Sequence, residues 1–139
     1  MKKRVPVSEI MTKNVLTVSI SDSLRHANAL MKEKNIRHIP VVNGNKLVGI
    51  LSKTDIMRLS FGDLYESQAG TDEAMFDMLN IGQVMVHDPV TADKEETVKE
   101  VAEKLAAAEY HALPVTEDGN IIGIVTTTDI IRYLLEQYN

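Results

Sequence analysis

The sequence predicts an α+β protein built from one β-α-β-β-α unit written twice. Three observations lead there. Shifting the 139-residue chain by 74 positions aligns residues 10–59 with 84–133 without a gap. Identities then fall at Met11/Met85, Thr17/Thr91, Pro40/Pro114, Val41/Val115, Gly49/Gly123, Ile50/Ile124, Thr54/Thr128, Asp55/Asp129, Ile56/Ile130 and Arg58/Arg132. Within each copy, apolar spacing switches between strand and helix periods in the same order.

Leu16, Thr17 and Val18 open the first copy as a short β-prone piece, matched by Val90, Thr91 and Ala92. A helix follows in each, with apolar residues at Leu24, Ala27, Leu30 and Met31, and at Val98, Val101, Ala102 and Leu105. Ser19 with Asp22, and Asp93 with Glu96, have the spacing of a capping box and are expected to start these helices. Ile39-Pro40-Val41-Val42 leads through a turn at Asn43-Gly44-Asn45 into the strand Leu47-Val48-Gly49-Ile50-Leu51. Leu113-Pro114-Val115, Asp118-Gly119-Asn120 and Ile121-Ile122-Gly123-Ile124-Val125 repeat that hairpin. Final helices begin after Ser52 and Thr126. Three strands with one helical side cannot close a core alone, so the two units are expected to pack together.

Residues 60–80 are not repeated. Gly62, Ser67 and Gly70 read as loop, and Thr71 as the cap of a short helix with Ala74, Met75, Met78 and Leu79 as a core-facing stripe.

Composition narrows the function. The chain is 44% hydrophobic and 25% charged, as soluble globular domains are. No run of about 18 apolar residues exists, so no membrane insertion is expected. The basic start Met1-Lys2-Lys3-Arg4 is followed by Val5-Pro6-Val7-Ser8-Glu9 rather than an apolar stretch, which is unlike a secretory signal, and a cytoplasmic location is expected. Absence of cysteine removes disulfides and thiolate chemistry. Net charge is −5 and the pI about 5.3, a poor match to duplex nucleic acid. Charge is unevenly spread: residues 1–58 carry +7, residues 59–93 carry −7 and residues 94–139 carry −5. That split favours a head-to-tail pairing if the chain dimerises. Signatures of nucleophilic, zinc-protease and P-loop chemistry are absent from the sequence. His26, His38, His87 and His111 are dispersed, so no metal site is expected.

What does repeat is Gly49-Ile50-Leu51-Ser52-Lys53-Thr54-Asp55 and Gly123-Ile124-Val125-Thr126-Thr127-Thr128-Asp129. A strand glycine precedes a hydroxyl residue that opens a helix, with a carboxylate three positions on. The pattern reads two ways. It is a capping arrangement that satisfies free backbone N–H groups. It is also a nucleotide cradle, in which the helix N-terminus and hydroxyl meet phosphate and the carboxylate meets ribose.

The pattern resembles the cystathionine-β-synthase (CBS) domain, and two in tandem resemble a Bateman module. The resemblance covers about residues 7–60 and 81–137. It rests on Glu9-Ile10-Met11-Thr12, Arg37-His38-Ile39-Pro40-Val41 and the Gly-x-x-[Ser/Thr]-x-x-Asp endings. It implies a first domain at 1–60 with a short basic tail, an acidic linker with a short helix at 61–80, and a second domain at 81–139, related by pseudo-two-fold symmetry. It further implies a non-catalytic sensor, with AMP, ADP, ATP or S-adenosylmethionine as regulatory ligand in two clefts between the units and no obligatory cofactor. The partners implied are a second copy, giving a homodimeric disc of four units, and a regulated enzyme or transporter. Carried over by position, Asp55 and Asp129 hold ribose, and Ser52 and Thr126 touch phosphate, with Thr54 and Thr128 in the same motif. Thr12, Thr17, Val86 and Thr91 line the adenine. Arg37, His38 and His111 face phosphates, and Ala112 replaces the second histidine, so the two sites are not equal. The alternative is a nucleotide-independent dimerisation and interaction scaffold of the same fold.

Overall fold

The computed structural model describes residues 4–61, 76–107 and 111–138. In chain order the elements are β1 (Val18–Ser19), α1 (Leu24–Lys34), β2 (His38–Asn43), β3 (Lys46–Ser52), α2 (Lys53–Phe61), α3 (Ile81–Val84) and β4 (Val86–His87). They continue as β5 (Ala92–Asp93), α4 (Val98–Ala107), β6 (Ala112–Glu117), β7 (Asn120–Thr126) and α5 (Thr127–Glu136). The mixed α+β architecture and its duplication are as the sequence predicts. Among the described residues, no helix is long and apolar enough to cross a membrane.

Two compact units emerge, and they are not the two repeats. One is Leu16–Asp88; the other joins Met1–Val15 to Pro89–Asn139. Each repeat's lead-in segment therefore folds with the other repeat.

In the continuous unit, β1 runs parallel to β2, β2 pairs antiparallel with β3, and β4 adds to the far side of β3. The fourth strand is the lead-in of the second repeat. Its core gathers Val18, Leu24, Ala27, Met31, Ile39, Val41 and Leu51, closed by Ile81 and Met85 from that lead-in. In the split unit, β5 runs parallel to β6 and β6 pairs antiparallel with β7. Thr12 bridges to Ile124 on β7 in the position that Val86 occupies against Ile50 on β3. Val7, in a 3₁₀ turn, completes a core of Ala92, Val101, Leu105, Leu113, Val115 and Val125. Val7 and Ile81, one repeat apart, are both fully buried. Truncating Leu24 or Leu113 in these cores to alanine would cost about 2–5 kcal/mol.

Both hairpins use two-residue turns, but not the same one. Asp118 and Gly119 both have positive φ (53° and 83°), as a type I′ turn requires, whereas in the first hairpin only Gly44 does (66°). A register shift follows at Val41/Val42 and again at Val115/Thr116.

The helix starts correct the sequence reading. Ser23, not Ser19, caps α1, its side chain accepting from the His26 N–H at 3.0 Å. Thr97, not Asp93, caps α4 through a reciprocal pair with Glu100 at 3.0 and 3.1 Å. Ser19/Asp22 and Asp93/Glu96 do bond, the backbone N–H of the first donating to the carboxylate of the second at 2.8 and 2.6 Å. They close the turn ahead of each helix, four residues early. Capping-box spacing recurs twice in succession here, and the apolar period alone does not choose between the two.

Of the 60–80 segment, Gly62, Ser67, Gly70, Thr71, Ala74 and Met75 lie outside the described residues. Residues 76–78 are helical. Leu79 packs on the core as expected, joined by Phe76, whereas Met78 is 80% exposed rather than core-facing.

Candidate functional site

The fourteen candidate residues sort seven and seven into the units. The continuous unit holds Thr17, Arg37, His38, Ser52, Thr54, Asp55 and Val86, and the split unit holds Thr12, Thr91, His111, Ala112, Thr126, Thr128 and Asp129. The exchange of lead-ins places Val86 with the first-repeat motif and Thr12 with the second. Sequence order alone does not indicate this.

Each motif turns from a strand directly into a helix. Ser52 ends β3, and its N–H donates to the Asp55 carboxylate at 3.2 Å while the Asp55 N–H donates to the Ser52 hydroxyl at 3.0 Å. Thr126 ends β7 and forms the same box with Asp129 at 2.9 and 3.2 Å. The capping reading of the motif is therefore realised twice. It leaves room for the other reading, because one carboxylate oxygen, Oδ2, carries each cap bond, and an ionised carboxylate has about four acceptor positions. Asp55 is only 15% exposed, with an Arg58 nitrogen 3.7 Å from its other oxygen.

The helix N-termini have fewer vacant donors than the sequence suggests. The first amide of α2, Lys53 N–H, donates to the Arg37 carbonyl at 2.8 Å, and that of α5, Thr127 N–H, to the His111 carbonyl at 3.0 Å. The third amide is the capped Asp55 or Asp129. Of the first three amides, these bonds leave only those of Thr54 and Thr128 unengaged. Their exposed hydroxyls add one donor each.

The same bonds hold Arg37 and His111 beside their helix starts. One residue on, His38 lies opposite Ser52, and buried Ala112 opposite Thr126, in the strand registers. Arg37 and His111 are exposed, and His38 is half-buried. Thr17 and Thr91 precede β1 and β5 by one residue. Thr12 gives its N–H to Ile124 at 2.8 Å and receives one back at 3.0 Å, so its backbone offers no vacant amide.

Sequence reasoning missed three features. A Cβ on Gly49 would collide with the Met85 sulfur and lie 2.8 Å from the Val86 carbonyl oxygen; one on Gly123 would collide with the Met11 sulfur and lie 2.9 Å from that of Thr12. These glycines let a lead-in cross the strand, and the joint recurrence of Gly49/Gly123 with Met11/Met85 was the available signal. Lys104 donates to the Thr91 carbonyl at 2.9 Å and pairs with Glu96 at 2.6 Å. Leu30 occupies its place in the first repeat, so no repetition advertised it. Finally, an open groove between the starts of α4 and the middle of α5, lined by Arg4, Lys99, Glu103 and Tyr133, includes none of the candidate residues. Among the described residues, no three His, Asp or Glu side chains gather as a metal site.

Comparison with known proteins agrees with this architecture. The CBS domain profile matches residues 7–62 and 81–136. The chain is 34% identical, over 94% of its length, to an inosine-5′-monophosphate dehydrogenase of Korarchaeum cryptofilum, and spans about a quarter of that relative. Among solved structures, the CBS domain pair of protein MJ0100, in complex with 5′-methylthioadenosine and S-adenosyl-L-methionine, is 28% identical with a TM-score of 0.78. The match covers 97% of this chain and 99% of that one. CBSX2 of Arabidopsis thaliana in complex with AMP is 24% identical with a TM-score of 0.80, over 96% and 98% of the two chains, and shows the shared fold. The duplicated fold defines a tandem module of the CBS type, a regulatory class. The chain belongs to the CBS domain family, as a CBS pair.

Proposed function

We propose that this CBS pair binds an adenosine-containing ligand of the AMP, ADP and ATP class at two sites, one per compact unit, and passes occupancy to a partner protein. One observation carries the reading. Asp55 and Asp129 each cap a helix through a single oxygen at the end of a strand, leaving acceptor capacity for two ribose hydroxyls beside the Thr54 and Thr128 amides. The adenosine compounds bound by the 28%-identical MJ0100 pair support the ligand class. S-Adenosylmethionine is accordingly within it. The dehydrogenase relative, of which such a sequence is about a quarter, supports an enzyme as the kind of partner.

The chain dimerises in this reading. Ile131, Leu134, Leu135 and Tyr138 on and just beyond α5 are 43–77% exposed, an apolar surface suited to a second copy. Leu135→Glu then shifts the sedimentation coefficient to that of a monomer; an unchanged one removes α5 from the interface.

The ligand reading is tested by thermal melts with AMP, ADP, ATP, S-adenosylmethionine and, as control, GTP. A ligand that binds only the folded state adds about 2.7 kcal/mol at a hundredfold excess over Kd. An adenine-specific rise is expected. No shift with any adenosine compound at millimolar concentration favours the scaffold reading, in which the completed capping boxes are the motif's whole purpose.

A further inference from the structure

We propose, building on the adenosine reading above, that the two sites are graded by ligand charge. The first-repeat site takes adenosine polyphosphates, and the second takes adenosine ligands with one phosphate or none.

The backbone is the same at both. Lys53 N–H meets the Arg37 carbonyl, as Thr127 N–H meets the His111 carbonyl, and His38 faces Ser52 as Ala112 faces Thr126. Only the side chains differ. Around the start of α2 stand Arg37, His38 and Lys53; around the start of α5 stand His111, Ala112 and Thr127. Arg58 and Arg132 recur in both repeats and do not discriminate.

The first set is placed against its own helix. A helix N-terminus carries partial positive charge, so cations there are unfavourable unless an anion joins them. Arg37 and Lys53 are exposed, and neither forms an ion pair among the described residues. The one acid of the first turn, Asp55, is engaged by the Ser52 N–H and approached by Arg58. A run of two or three phosphates supplies the missing negative charge, and the planar Arg37 fork with the mobile Lys53 ammonium suits its successive oxygens. At α5 the same positions hold a threonine, a buried alanine and one histidine. Added phosphates gain nothing comparable there.

The experiment is calorimetric titration with AMP, ADP and ATP in magnesium-free buffer, on chains that each keep one site. Asp129→Asn isolates the first site and Asp55→Asn the second. At the first site ATP binds about tenfold or more tighter than AMP, as expected for charge-assisted bonds. Adding Arg37→His and Lys53→Thr, which copy the second repeat, removes that preference and changes AMP affinity far less. At the second site ATP and AMP bind within about threefold of one another, and His111→Arg with Thr127→Lys introduces the preference. All four positions are exposed, and cooperative melts of the unliganded variants, displaced only slightly from the parent's as a charge change at a helix N-terminus requires, show that folding is intact. Equal ATP and AMP affinity at the first site, or a preference that survives Arg37→His/Lys53→Thr, overturns the grading and leaves the adenosine reading intact. Flat titrations of the parent chain with every nucleotide overturn both.

Discussion

The sulfur of Met85 occupies the space that a side chain on Gly49 would need. Met11 stands in the same relation to Gly123, so one packing device joins each repeat to the lead-in of the other. Gly49→Ala is therefore expected to destabilise the fold by about 1–3 kcal/mol, the usual cost of forcing extra volume into a packed site. Gly49→Ala is expected to cost less in a Met85→Ala background than in the parent, although Met85→Ala itself opens the core, because the sulfur is gone while the Val86 carbonyl remains. Urea denaturation of the two single variants and the double measures the coupling. Strict additivity would mean that Met85 is not what excludes the Cβ.

The two jobs of Asp129 separate in Asp129→Asn. The amide oxygen still accepts from the Thr126 N–H, so only the charge at the first turn is lost, about 0.3–1 kcal/mol. Ribose loses its ionised acceptor, and affinity at that site drops about tenfold or more. Melting and titration of one preparation read both numbers. Undiminished affinity leaves Asp129 as a cap alone.

Lys104 is expected to act on one site only. Lys104→Met keeps the aliphatic stem and removes the ammonium from both Thr91 and Glu96. Because this ion pair is partly exposed, stability changes by no more than about 1 kcal/mol. Adenosine affinity at the second site falls as the Thr91 segment loses its tether, and the first site, with Leu30 at that position, is unaffected. Equal losses at both sites would show a global effect instead.

Stability should also depend on acid through Glu100. The Thr97 N–H and hydroxyl bonded to its carboxylate, with Lys104 and Arg4 contributing, hold its pKa below the ordinary carboxylate range. Folding thus favours the ionised form. The stabilisation is present at neutral pH, declines as pH falls through the ordinary range, and is gone below the folded pKa. Protection factors in the first turn of α4, taken relative to intrinsic exchange at each pH, should fall across that window in the parent chain. Glu100→Gln should flatten the dependence; an unchanged slope would assign it to another acid.

The element order, both hairpins and both motif caps were legible in the sequence because they depend on residues within a few positions of each other. Ser52 and Asp55 are three apart, and their bond is local. The helix starts misled because Ser19/Asp22 and Ser23/His26 offer competing turns, and only the helix axis fixed by buried Leu24 selects the later one. The exchange of lead-ins was not legible, since Met11 and Gly123 are far apart and nothing local records which strand a lead-in will cross. Likewise, Lys104 was silent because a single-copy residue leaves no trace in a search for repetition. At the motif, the spacing revealed the cap but not the carbonyls of Arg37 and His111, which use amides a phosphate was expected to meet.

Synthesis on the ribosome gives the exchange a temporal meaning. Residues 16–88 form one compact unit of contiguous chain, so the contacts within it can form as soon as residue 88 is free. Residues 4–15 emerge before it but fold last, because Val7 and Met11 need α4 and the β6–β7 hairpin. Until then a short apolar segment trails from the nascent chain with no surface to rest on. A circular permutant that begins at residue 16 and carries residues 4–15 after residue 138 would place that segment beside its destination, and refolding should quicken as the loop to be closed shortens.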